Sequence, residues 1–149
     1  AGELYNASDS HLKAERSHAR ILLKRYNDST DEQVLLRKEI LRELISEIIG
    51  VRAVYYLQQA RIVLDQPTPD FGGAFHDLSE GYGFIYSLQF TRRPGSQGPY
   101  FTKDEVDAFL ADLLDDGPNG LWDVTPATLD ALSEAIAERF DFTVAEAGS

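Results

Sequence analysis

The amino-acid sequence predicts an all-α fold: a bundle of three longer helices followed by two short C-terminal ones. Three observations predict it. Apolar residues recur at heptad and half-heptad spacing through most of the chain. Helix-start and helix-stop residues fall where those runs begin and end. No segment alternates apolar and polar residues over a strand's length.

The elements follow in order. Asp9 or Ser10 caps a first helix running to about Tyr26, with Leu12, Ala19 and Tyr26 spaced by sevens and Leu23 on the adjoining stripe. Asn27-Asp28-Ser29 makes a turn, and Thr30 or Asp31 caps a second helix that runs to about Leu64. In that helix Val34, Leu41, Ile48, Tyr55 and Ile62 fall at heptad spacing, widened by Leu44, Ile45, Val51 and Val54. From Ile48 to Leu57 almost every side is apolar, which predicts burial all round, and Gly50 within it predicts a close helix crossing or a bend. Pro67 and Pro69 end the helix. A third helix is expected from about Phe71 to Phe90, with Phe75, Leu78, Tyr82, Ile85 and Gln89 on one face. Thr102 and Glu105 form the signature of a capping box for a short fourth helix burying Val106, Phe109, Leu110, Leu113 and Leu114. Thr125-Pro126 opens a fifth, burying Leu129, Leu132, Ile136 and Phe140, and the tail after Phe142 is expected to fray.

The 149 residues are the size of a single domain able to bury its own core. The formal net charge of −11 repels phosphate backbones and so argues against nucleic acid as a partner. No apolar run is long enough to span a bilayer. The lack of cysteine removes disulfides, zinc–thiolate sites and cysteine nucleophiles. The lack of methionine, even at the first position, leads us to expect a processed or partial chain. There is no nucleophile elbow, no phosphate-cradling glycine loop and no zincin pattern of two histidines around a glutamate.

Three places hold residues capable of chemistry. His11, Glu15 and His18 sit one and two turns apart on one helical face, a set able to offer imidazole and carboxylate to a divalent metal, or a solvated stripe opposite the apolar side. His76 and Glu80 lie one turn apart on a helix expected to be buried, where each needs a partner or a ligand. Arg52 meets the same difficulty in the apolar part of the second helix. Two readings follow: a structural polar network in which Arg52 pairs with Glu80, Glu47 or Asp77, or a metal site on His76 and Glu80. Finally, Asp112, Asp115, Asp116, Asn119 and Asp123 form an acidic turn without the register of an EF-hand loop, as expected of a helix end.

The run from His76 to Phe84, continuing Ser87-Leu88-Gln89-Phe90, resembles a signature of a family of bacterial extracytoplasmic lipoproteins that carries a domain-of-unknown-function label. The segments Leu129 to Leu132 and Ala137 to Phe142 resemble that family's closing helix, and the likeness extends over residues 14–142. The family is itself distantly similar to imelysin-like, iron-associated surface proteins. The resemblance implies a periplasmic, cell-surface or secreted bacterial setting and a helical bundle forming the C-terminal part of a larger duplicated helical domain. It also implies iron or another divalent metal at His76 and Glu80. The expected function is a non-catalytic envelope or secreted binding protein. The alternative is an assembly module that packs with an N-terminal partner segment, another protein chain or copies of itself.

Overall fold

A computed structural model describes residues 20–148 of the chain. Every regular element among them is helical. The chain divides into two compact units, Ala1–Leu44 and Ile45–Ser149, at a boundary inside the longest helix.

In the first unit the described part of α1 covers residues 20–28. Its buried residue is Leu22, whereas Leu23 is exposed, one position away from the expected stripe. A turn follows, closed by the Ser29 hydroxyl donating to the Tyr26 carbonyl and by the Thr30 N–H donating to the Gln33 side chain at 3.0 Å. The next helix, α2, spans Val34–Leu64. It starts a few residues after Thr30 and Asp31 because those residues are used in the turn. Ile40 is fully buried in this unit, and the Arg37 guanidinium lies 4.5 Å from the Tyr26 ring centre while also pairing with Asp31.

The second unit holds the rest of α2, then α3 (Phe71–Ser87), a 3-10 turn (Leu88–Phe90), α4 (Lys103–Asp112), a second 3-10 turn (Gly120–Trp122), α5 (Pro126–Phe140) and α6 (Val144–Ala147). Each α-helix that starts in this unit has an identifiable cap. Asp70 accepts the Gly72 N–H at 3.0 Å, and Thr102 with Glu105 completes the expected capping box. Thr125 caps α5, with Pro126 at its first turn. The helix α5 stops at Asp141, which takes the left-handed conformation with φ 62°. The tail does not fray: Thr143 and Glu146 form a second capping box that starts α6, and Ala147 is buried. The expected pair of short C-terminal helices is therefore three.

Burial on α2 follows a rule that the heptad of large residues obscures. Its inward row is Ser46, Gly50, Ala53, Leu57 and Ala60, spaced by fours and threes and made mostly of small side chains. Small residues let neighbouring helices approach closely. A β-carbon on Gly81 of α3 would stand 3.5 Å from the Leu57 side chain, and one on Gly50 would stand 2.9 Å from the Phe140 ring at the end of α5. Leu78 and Ile85 of α3 and Leu129, Leu132 and Ile136 of α5 complete the core with Phe101, Val106 and Leu113.

Polar groups trapped in this core are satisfied. The fully buried Ser133 hydroxyl donates to the Leu129 carbonyl at 2.7 Å and accepts from the Gln58 amide at 2.9 Å. The same amide reaches Asp130 at 3.1 Å, and Arg61 reaches Asp130 at 3.3 Å, tying α2 to α5. Buried Ser46 accepts the Arg92 N–H at 2.8 Å, and buried Thr91 accepts the Tyr100 N–H at 3.1 Å. These bonds pin the loop between α3 and α4 to its supports.

Candidate functional site

The side chains singled out by sequence occupy different surroundings from those expected. His76 and Glu80 are both exposed on α3, on the side away from Ala74, Leu78, Gly81 and Ile85. The expectation that they are buried is corrected: α3 is amphipathic, and its buried row is offset from this pair. Their location in solvent removes the need for a partner or ligand that burial would have imposed. Asp77 between them is half-buried; burial pushes its carboxyl above the usual range, and the neighbouring His76 opposes that shift. Arg52 is also exposed, with its guanidinium carbon 5.2 Å from the centre of the Tyr55 ring, and so does not sit inside a buried ion-pair network. Glu47 is half-buried on α2. No group of three or more histidine, aspartate or glutamate side chains is placed to share a metal ion among the described residues. The candidate set His11, Glu15 and His18 lies outside the described residues.

The acidic turn between α4 and α5 serves local structure. Asp116 accepts the Thr125 N–H at 2.7 Å and the Thr128 hydroxyl at 2.6 Å, and these bonds hold its carboxyl below the usual range, the Thr128 bond first. Asp123 accepts the Asn119 N–H at 2.9 Å.

A groove of about 700 Å³ runs between α4 and α5, lined among others by Phe101, Glu105, Phe109, Arg93 and Arg139. Two of its charges, Glu105 and Arg139, engage each other. The Arg139 guanidinium lies over Phe101 at 4.6 Å and donates to Glu105 and to the Tyr100 carbonyl, both at 2.9 Å. Glu105 also accepts the Thr102 N–H at 2.7 Å. The Thr102 backbone bond, the Thr102 hydroxyl and Arg139, in that order, hold the Glu105 carboxyl down to about 2. A depressed carboxyl of this kind stabilises the fold above the unfolded value, and the contribution is lost as pH falls through the folded one. Between about pH 4.5 and about 2, wild-type stability is expected to decline by about 1 kcal/mol through this group. The figure is small because 38% of its side chain remains in contact with water. Urea unfolding of Glu105→Gln across this interval checks the point: the variant loses that part of the slope.

What the structure leaves open is one face of α2. Within the second unit, Ile45, Ile48, Arg52, Tyr55, Gln59 and Ile62 are spaced by threes and fours and therefore form one row along the helix. Ile45 is 55% exposed, Ile48 56% and Ile62 46%, and Tyr55 and Gln59 are half-exposed. The burial all round expected from Ile48 to Leu57 is thus corrected: Gly50, Ala53, Val54 and Leu57 are buried there, whereas Ile48 and Arg52 are exposed. A second exposed cluster lies at the start of α3, where Phe71 and Phe75 meet Trp122 with ring centres 5.9 and 4.1 Å away. Trp122 itself is 60% exposed. No helix among the described residues is long and apolar enough to cross a membrane.

Capped helices around a small-residue seam, with an aliphatic row left in solvent, define an all-α domain whose distinguishing feature is a surface. The chain belongs to the family of a domain of unknown function, DUF4856, whose family model matches residues 12–143. No solved structure matches it.

Proposed function

We propose that this chain is a non-catalytic helical docking module and that its working surface is the open face of α2. The observation that carries this reading is the exposure of Ile45, Ile48 and Ile62 on one row of α2 within the second unit. Contiguous apolar surface of this kind marks a binding site more often than isolated exposed side chains do. Its spacing fits one type of occupant. Apolar residues recurring every three and four positions match the ridges of another helix, so the partner presents an amphipathic helix. Covering about 400 Å² of such surface is worth about 10 kcal/mol before the costs of association. The proposed setting is the bacterial envelope or the extracellular medium, which the resemblance to extracytoplasmic lipoproteins supports.

The test is a pair of substitutions on the open row, Ile45→Asp and Ile48→Asp, compared by thermal unfolding and by binding of the dye ANS. Exposed positions tolerate aspartate, so the melting temperature is expected to stay within about 3 °C of wild type while ANS fluorescence falls. A large loss of stability in both variants would mean that the face is covered in the folded chain, and the docking reading would be abandoned.

A further inference from the structure

Independently of the α2 row, we propose that the aromatic cluster at the start of α3 receives an arginine from a basic segment of a partner protein, and that this arginine stacks on Trp122. Trp122 is the one tryptophan of the chain, and 60% of it is exposed. Its indole is held in place before anything binds. Phe75 lies against it with ring centres 4.1 Å apart, and Phe71, itself 45% exposed, lies at 5.9 Å. The turn that carries it is braced by three bonds. The Asp123 carboxylate accepts the Asn119 N–H at 2.9 Å, the Asp123 N–H donates to the Gly120 carbonyl at 2.9 Å, and Asp116 accepts the Thr125 N–H at 2.7 Å. A ligand that stacks on this ring therefore does not have to order it. Exposed, pre-positioned tryptophan marks the centre of a contact surface, and its commonest charged companion there is arginine.

Charge selects the occupant. Residues 1–44 hold eight acidic and eight basic side chains, whereas residues 45–149 hold seventeen and six, so the whole formal charge of −11 lies on the second unit. Within it, residues 62–91 carry four acids and residues 104–138 carry ten, and neither stretch contains a lysine or an arginine. Phe71 and Phe75 come from the first stretch and Trp122 from the second. Asp70 immediately precedes Phe71, and its carboxylate accepts the Gly72 N–H within the same turn of α3. Asp123 immediately follows Trp122, and Asp112, Asp115 and Asp116 lie in the turn leading to it. The bonds that Asp70, Asp116 and Asp123 accept come from neutral groups, and no ion pair among the described residues involves any of these five acids. Their charge is therefore left to act on a partner. A guanidinium fits both halves of the surface: its face packs on the indole while its N–H donors point outward in the ring plane toward carboxylates. A lysine ammonium is more strongly hydrated and loses more on contact with the ring. An uncharged apolar partner would cover acids without pairing them. A second copy of this chain brings another charge of −11 and is repelled.

Because Trp122 is the one tryptophan, its emission in the full chain reports directly on the site. The probes are short glycine–serine peptides without aromatic residues, carrying arginine, lysine or glutamate at matched positions. Titrations are made at about 0.15 M salt, where the screening length of about 8 Å confines the comparison to charges near the contact. The arginine peptide is expected to change Trp122 emission saturably, the lysine peptide to bind about threefold more weakly, and the glutamate peptide to leave the emission unchanged. By calorimetry, Trp122→Ala is expected to weaken the arginine peptide about fivefold, and Trp122→Phe, which keeps a ring, about twofold. Trp122 is exposed, so both variants are expected to retain wild-type helicity by circular dichroism, and the emission of the wild-type chain tests the contact without any variant. Absence of a saturable change in the wild-type chain overturns the proposal. Equal affinity for arginine and lysine overturns stacking, and an affinity unmoved by Trp122→Ala makes the acidic field alone the attraction and overturns the site. An emission change produced by phosphatidylcholine vesicles and not by the arginine peptide makes a lipid surface the occupant and overturns the basic partner.

Discussion

Leu57→Ala is expected to cost about 2–5 kcal/mol of stability, whereas Ile48→Ala on the same helix is expected to cost less than about 1 kcal/mol. The two residues have similar hydrophobicity and lie nine positions apart on α2, so a sequence scale ranks them alike. Their surroundings differ. Leu57 is fully buried, and its methyl group would lie 3.5 Å from a β-carbon on Gly81. Shortening it opens a void that the tight α2–α3 seam cannot close, and both the lost transfer energy and the cavity count against the fold. Ile48 is 56% exposed, so most of its surface loses nothing on truncation. In a chain of this size the first substitution corresponds to a melting-temperature drop of about 5–15 °C, and the second to a drop of at most about 3 °C. Thermal unfolding followed by circular dichroism at 222 nm checks both. Similar losses for the two would place Ile48 in a core and contradict the open face on which the docking proposal stands.

The same comparison explains what could be read in the sequence. Helix starts were legible because their chemistry is local: Thr102 with Glu105, and Thr125 with Pro126, act within one turn and need no tertiary partner. The core rows of α3 and α5 were legible because each has one apolar side. The buried side of α2 was not. Its apolar residues surround the helix, and the large ones at heptad spacing, Leu41, Ile48 and Ile62, draw attention to the wrong face. The row that packs is marked by Ser46, Gly50, Ala53 and Ala60, whose small size is the signal of close helix approach. Gly50 alone announced it, and extending its row by threes and fours would have found the seam. The misreading of His76 and Glu80 came from expecting the third helix to be buried although its apolar residues mark one face: Leu78 and Ile85 set its inward row, and the pair lies off it. The second capping box, at Thr143 and Glu146, was missed because the small and polar residues around it resemble a tail. The threonine and the glutamate three residues later were the available sign.

Gly50→Ala is the second substitution with a large expected effect, and here packing and propensity act in opposite directions. Inside a helix, alanine in place of glycine favours folding by about 1 kcal/mol. Against that, the new β-carbon would stand 2.9 Å from the Phe140 Cδ2 and Cε2 atoms, closer than carbon atoms pack. The ring cannot simply swing away. It stacks on Tyr100 with centres 3.9 Å apart and planes within 15°, and it contacts Phe142 at 6.0 Å. Shifting it disturbs the end of α5 and the loop before α4, at a cost of about 2–3 kcal/mol. The net expectation is a loss of about 1–2 kcal/mol, opposite in sign to what helix propensity alone predicts. A double-mutant cycle isolates the cause. Phe140→Leu removes the ring edge that meets the new methyl group, so Gly50→Ala introduced on that background should be neutral or stabilising. The difference between the two backgrounds, read from urea midpoints at constant slope, is expected to reach about 1–2 kcal/mol. If the two changes are additive, the crossing of α2 with the end of α5 is looser than the structure has it, and the small-residue seam is then not what selects the buried side of α2.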